Sequence, residues 1–248
     1  MGFSEKGKIT IAFIMLLLVV VVTCTIVSYN HFVKTRSQNF IYDTSLSAAP
    51  VQDKQQYPIV APLKNPPSIM RGIYITGWSA GSKTYLTYLD SLLTQDQINT
   101  VVIDIKDSFG IVSYVTGAKK ARDYKAYQVK IPNIDALIQN LHTKNIYVIG
   151  RIAVFEDAAL ARARPDLAVY DTQTTKDISK PALWHGNDNV AWVDPASKEV
   201  WDYNIEIAKD ALLHGFDELN FDYMRFPADG QKKNAGFPVW DQKVPKHT

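Results

Sequence analysis

A single cysteine, Cys24, stands among 248 residues, so neither an internal disulfide nor a cysteine-based metal site can form. The five histidines, His31, His142, His185, His214 and His247, lack ligand-like spacing, and no metal or other cofactor is expected. Long runs of like charge are also missing, and the net charge of +2 is too small to argue for nucleic acid or an acidic polymer as partner. Charged residues make up only 21% against 46% hydrophobic, which implies that most of the chain packs around a core.

Charge is missing altogether from Ile9 to Val27, whose polar residues are threonines and Cys24. At 1.5 Å rise per residue this run spans about 28 Å, close to the hydrocarbon thickness of a bilayer. A cleaved signal would end in small residues, whereas this run ends Val27-Ser28-Tyr29-Asn30. A lipoprotein signal would use Cys24, which Thr23 fits poorly. The segment 9–29, after a short tail 1–8, is therefore read as an uncleaved transmembrane signal anchor. Lys6 and Lys8 before it nearly balance Lys34 and Arg36 after it. The choice of an extracytoplasmic domain rests on long domains translocating regardless of such charges.

Periodicity is absent from 30–69, where Gln, Ser, Asp and Lys accompany Pro50, Pro58, Pro62, Pro66 and Pro67. That composition reads as an extended stalk.

From 70 to 248 the pattern changes. Arg71–Trp78 is β-rich, and Ser82 can cap a helix running to about Leu93. Ile98–Lys106 follows as an inner strand, and Asp107-Ser108-Phe109-Gly110 is a turn. Pro132 and Asn133 open a helix with Ile134, Leu137, Ile138 and Leu141 at helical spacing. Ile146–Phe155 is a third strand, Asp157 starts a short helix, and a polar loop leads to Asp194-Pro195. Ala196–His214 is an amphipathic helix stopped by Gly215, and Phe216–Phe226 is a fourth strand.

Strands alternating with helices imply parallel βαβ units, in either a doubly wound sheet or a barrel. Polar residues at the strands' C-terminal ends favour a TIM-type (β/α)8 barrel. A closed barrel takes about 250 residues and about 178 follow the stalk, so the plan is expected to break off after about four β/α units.

Alternation places Asp104 and Lys106 on one face of the second strand, Arg151 on that face of the third, and Glu218 and Asp222 on that face of the fourth. Charges in strand interiors need partners, and an Asp104–Arg151 ion pair is the bland account of those two. Asp222, last on its strand and followed by Tyr223 and Arg225, is the candidate catalytic carboxylate. Glu218 lies deeper and reads as structural. Glu156 and Asp157 are loop candidates, Asp157 with a capping alternative. Trp78, Trp184 and Trp192 could stack on sugar rings or pack in the core, and Trp201 is assigned to the core.

Several of these blocks resemble a known family. Arg71-Gly72-Ile73-Tyr74, the Val-Ile-Asp-Ile-Lys-Asp core 102–107 and Gly150–Phe155 carry the likeness. So do Ala191–Pro195, Val200–Asn204, Gly215–Glu218 and Phe221-Asp222-Tyr223-Met224-Arg225-Phe226-Pro227. Together they are similar to the glycoside-hydrolase-like barrel domains catalogued as a domain of unknown function. The resemblance implies a carbohydrate-directed hydrolase with Asp222 as the carboxylate ending the fourth strand. Trp78, Asp104, Lys106, Arg151, Trp184, Trp192, Tyr223 and Arg225 are then the substrate-binding candidates. Glycosidases use two carboxylates, about 5–5.5 Å apart when retaining and about 6.5–9.5 Å when inverting. The second is expected from a later strand.

The expected partner is a cell-surface or extracellular polysaccharide, reached from a membrane anchor. The alternatives are a non-catalytic glycan-binding module and an envelope scaffold. Oligomeric state stays open.

Overall fold

The computed structural model describes residues 61–63, 66–95 and 98–241. The expected anchor at 9–29 and most of the stalk lie outside the described residues. Among those described, no helix is long and apolar enough to cross a membrane.

Four strands form one parallel sheet: β1 (Gly72–Ile75), β2 (Thr100–Lys106), β3 (Tyr147–Ala153) and, fourth in line, β5 (Glu218–Asp222). Between β1 and β2 run α1 (Gly77–Gly81) and α2 (Lys83–Gln95). α3 (Lys119–Asp123) and α4 (Ile134–Thr143) precede β3. After β3 come α5 (Ala158–Ala163), the short strand β4 (Tyr170–Asp171) and α6 (Lys198–Leu213). A further short strand, β6 (Ala235–Gly236), pairs antiparallel with β4.

The helices start where short polar side chains can satisfy their free N–H groups. Asn133 accepts from Ala136 N at 2.9 Å, Asp157 from Leu160 N at 2.7 Å, and Ser82 from Tyr85 N at 3.3 Å. α6 stops at Gly215, whose φ of 95° is a left-handed value that glycine adopts freely.

Strand alternation divides the sheet into two chemically different faces. Ile75, Val101, Ile103, Ile105, Val148 and Ile152 are buried in one cluster with Leu89, Ile138 and Ile207 from the helices. Each such aliphatic side chain contributes about 1.5–3 kcal/mol when withdrawn from water. The opposite face carries Tyr74, Asp104, Arg151, Glu218, Asn220 and Asp222. A sheet with helices on its apolar face and a polar opposite face has the plan of a barrel wall. A doubly wound sheet would need apolar residues on both faces.

Three expectations are corrected here. Trp78 does not end β1; Thr76 caps a helix by accepting from Ser79 N at 3.1 Å, and Trp78 lies in its first turn. The fourth strand ends at Asp222 because Tyr223 takes a left-handed φ of 54°, which breaks the extended run. Trp201 is 44% exposed on α6, with its Nε1 donating to Pro195 O at 2.7 Å, and is not a core residue.

Candidate active site

Register brings the predicted carboxylates together through one arginine. Asp104 on β2 lies opposite Arg151 on β3, and Asp222 lies one diagonal step further, opposite Ala153. Arg151 Nη1 donates to Asp104 Oδ1 at 2.8 Å. On the other side its Nε and Nη2 reach Asp222 Oδ2 at 2.9 and 2.8 Å. Tyr74 on β1 donates its hydroxyl to Asp104 Oδ2 at 3.0 Å. One polar row thus crosses all four strands near their C-terminal ends.

The groups in this row differ in burial. Asp104 is buried, and burial pushes its carboxyl above the ordinary value although Arg151 and Tyr74 pull the other way. Tyr74 is pushed up to about 12, first by burial and then by the Asp104 charge. Burial works against the Arg151 cation, but Asp104 and Asp222 outweigh it and hold its proton more tightly than usual. Asp222 is different: its side chain is 47% exposed while Oδ2 is gripped by Arg151 and Oδ1 accepts Tyr223 N at 2.7 Å. A carboxylate fixed by three donors yet open on one side is suited to attack or to stabilise a positive centre.

Tyr223 and Arg225 extend this end of the sheet. Arg151 lies 5.7 Å from the Tyr223 ring centroid, and Arg225 lies 5.3 Å from the centroids of both Tyr223 and Trp192. Arg225 therefore stacks on rings, and Arg151 is the cation that serves Asp222.

Lys106 does not join the row. The register shifts between Asp104 and Lys106, so Lys106 lies beside Ile152 and turns towards the helices. It is fully buried, ion-paired with Asp157 at 2.8 Å, donates to Ala153 O, and sits 5.7 Å from the Tyr203 ring centroid. Asp157 in turn caps α5. Glu218, at the start of β5, contacts Tyr147 Oη at 3.3 Å and stays at the opposite end from Asp222.

The tryptophans separate as well. Trp78 is 60% exposed, with Lys130 Nζ 5.9 Å from its ring centroid. Trp184 is 2% exposed and donates to Gln231 O at 3.2 Å, so its faces are not available for stacking. Trp192 is 1% exposed and meets Tyr223 edge to face at 5.8 Å. The expectation that Trp184 and Trp192 stack on sugars was blind to the loop that folds over both.

Glu156, read from sequence only as a loop candidate, is buried just past β3. Burial first, and then Asp188 and Asp229, push its carboxyl up to about 7, against a hydrogen bond from Ser108. Its Oε2 meets no donor and is closed to solvent, so it is not placed to reach a glycosidic bond. Single-strand periodicity could not reveal this cluster, because its members come from four separate segments. Among the described residues, no group of three or more His, Cys, Asp or Glu could hold a metal ion.

Residues 72–247 match a family described as "Putative glycosyl hydrolase domain". The chain belongs to that family. A solved relative in structure, a hypothetical protein from Ruminiclostridium thermocellum ATCC 27405, is 39% identical over 66% of this chain and 80% of its own, with a TM-score of 0.59. Weaker likenesses include the α-galactosidase from Lactobacillus brevis, 16% identical over 71% of this chain and 22% of its own, TM-score 0.44. Another is the α-galactosidase from Thermus thermophilus in complex with p-nitrophenyl α-D-galactopyranoside, 17% identical over 59% of this chain and 29% of its own, TM-score 0.40. The chain spans less than a third of the length of either galactosidase. None of the curated proteins matches it. Within the glycosyl hydrolase family match fall Asp104, Arg151 and Asp222, the residues of the polar row on β2, β3 and β5.

Proposed function

We propose that the protein is a glycoside hydrolase acting on a cell-surface or extracellular polysaccharide, with Asp222 as the reacting carboxylate. The observation that carries this is the hold on Asp222, whose oxygens take three donors while nearly half of the side chain stays open to solvent. Arg151 keeps the carboxylate aimed, and Asp104 and Tyr74 keep Arg151 in place from behind. Trp78, Tyr223 and Arg225 are the groups offered to sugar rings and hydroxyls. A glycosidase mechanism pairs Asp222 with a second carboxylate about 5–5.5 Å away for retention or about 6.5–9.5 Å away for inversion.

The uncharged run 9–29 supports a membrane anchor with the barrel on the extracytoplasmic side, and the proline-rich stretch 30–69 supports a stalk between them. The binding-module alternative relied on three tryptophan platforms, and two of those rings are buried.

The test is release of new reducing ends when the full-length protein is incubated with isolated cell-wall polysaccharides. Time-dependent release supports hydrolysis. Saturable binding of the same material without release at any pH from 4 to 9 would assign the protein to the glycan-binding class.

A further inference from the structure

The polar row is accompanied by aromatic rings that each rest against a cation. Tyr74 on β1 is 48% exposed, with the Arg151 guanidinium 5.9 Å from its ring centroid. Trp78 in α1 is exposed, with Lys130 Nζ at the same distance from its centroid. Tyr223, half-buried directly after β5, has Arg151 at 5.7 Å and Arg225 at 5.3 Å. In strand order the rings run from the end of β1 to the end of β5, and Asp222 adjoins the last of them.

Trp78 stands on a rigid mount. Gly77 and Gly81 lie one helical turn apart, and a Cβ at either would collide with Ser113 Oγ or Lys130 O, so α1 presses directly onto the chain at 113 and 130. Lys130 is itself buried, its Nζ held by Asp107 Oδ2 at 2.5 Å. Asp107 Oδ1 is fixed in turn by Phe109 N at 3.0 Å and Ile111 N at 3.1 Å. An indole left open to water on such a mount marks a binding surface.

The pattern selects a ligand. Between the rings lie Asp107, Asp104, Arg151 and Asp222, so the partner must offer apolar faces and hydrogen-bonding rims in turn. Sugar units do so, with C–H groups on their faces and hydroxyls at their edges. The span selects its length. Neighbouring strands lie about 4.8 Å apart, so the row from β1 to β5 runs about 14 Å across the sheet, wider than one sugar ring.

We propose that Trp78, Tyr74 and Tyr223 form a track for an extended glycan chain that crosses the strand ends from Asp222 to Trp78. The substrate is then a polymer cut several units away from the sugar stacked on Trp78, and one or two sugars cannot fill the track. The proposal rests on the glycoside reading of Asp222 and adds the length of the substrate to it.

The experiment compares disaccharides with hexasaccharides of the cellulose, amylose, xylan and chitin series. Each is titrated into 15N-labelled full-length Asp222→Asn protein in micelles, so that no glycan is consumed, while the five indole N–H resonances are followed. In at least one series the hexamer is expected to bind at least about tenfold more tightly than the dimer and to move the Trp78 resonance saturably. Trp78→Ala is expected to remove most of that length preference, and Trp78→Phe, which keeps a ring, to retain more of it than alanine does. The resonances of the buried Trp184 and Trp192 report that each variant is folded. Hexamers that bind no more tightly than dimers, or as tightly in Trp78→Ala, overturn the track, and hydrolysis by the wild type would still uphold Asp222. Length-dependent binding that needs Trp78, without hydrolysis by the wild type, supports the track and removes the catalytic reading. No saturable binding of any hexamer by this variant or by the wild type overturns the proposal.

Discussion

Arg151 and Asp222 are joined by two contacts to a single oxygen: Nε at 2.9 Å and Nη2 at 2.8 Å both meet Asp222 Oδ2. The remaining terminal nitrogen, Nη1, is committed to Asp104 on the opposite neighbouring strand. The guanidinium fork therefore spans three strands and leaves Asp222 no free choice of rotamer.

Removing that fork should cost stability as well as function. Arg151→Met leaves the buried Asp104 carboxyl with only Tyr74, and about 2–4 kcal/mol of unfolding free energy should be lost in urea titrations. Arg151→Lys should recover less than half of it, because a point charge cannot serve both carboxylates at these positions. Full recovery by lysine would mean that charge alone matters.

The Lys106–Asp157 pair, both side chains fully buried, makes a sharper stability prediction. Lys106→Met should destabilise by about 3–5 kcal/mol, since Asp157 is left charged in the core. Combining it with Asp157→Asn, which keeps an acceptor for Leu160 N, should give a double variant more stable than Lys106→Met alone. Additive losses would show that the two charges do not interact.

Glu156 gives the protein a pH dependence. Its folded value of about 7 lies above the ordinary 4.5, so the folded state holds the proton more tightly than the unfolded chain does. The acid form is compatible with its burial, and stability from this group is fully present below about pH 4.5. It is lost as pH rises towards and past about 7, by up to about 3 kcal/mol. Glu156→Gln, which keeps the shape without the proton, should flatten urea midpoints measured from pH 5 to pH 8. A wild-type midpoint unchanged over that range would contradict the assignment.

The contrast between Asp104 and Lys106 shows how far the sequence could be read. Simple alternation put both on one face and was right for Asp104, Arg151 and Asp222, because those stretches of β2, β3 and β5 pair in regular register. It failed for Lys106 because a single register shift turns a side chain to the other face, and nothing local marks that shift. The capping positions of Asn133 and Asp157 were legible, since a short polar side chain acts within three residues of itself. The burial of Trp184 and Trp192 was not: it depends on β4 pairing with β6 and on Gly230, whose missing side chain makes room 2.9 Å from the Trp184 ring. Those partners lie dozens of residues away, as do the parts of the Glu156, Asp188 and Asp229 cluster.

The measurement that bears most directly on the central claim is hydrolysis by Asp222→Asn in the full-length protein, on whichever polysaccharide the wild type cleaves. Asparagine preserves the shape and a contact to Arg151 but removes the charge. The predicted result is a loss of turnover of at least about a thousandfold, with glycan binding retained. Wild-type turnover by Asp222→Asn would contradict the account and move the chemistry elsewhere on the molecule.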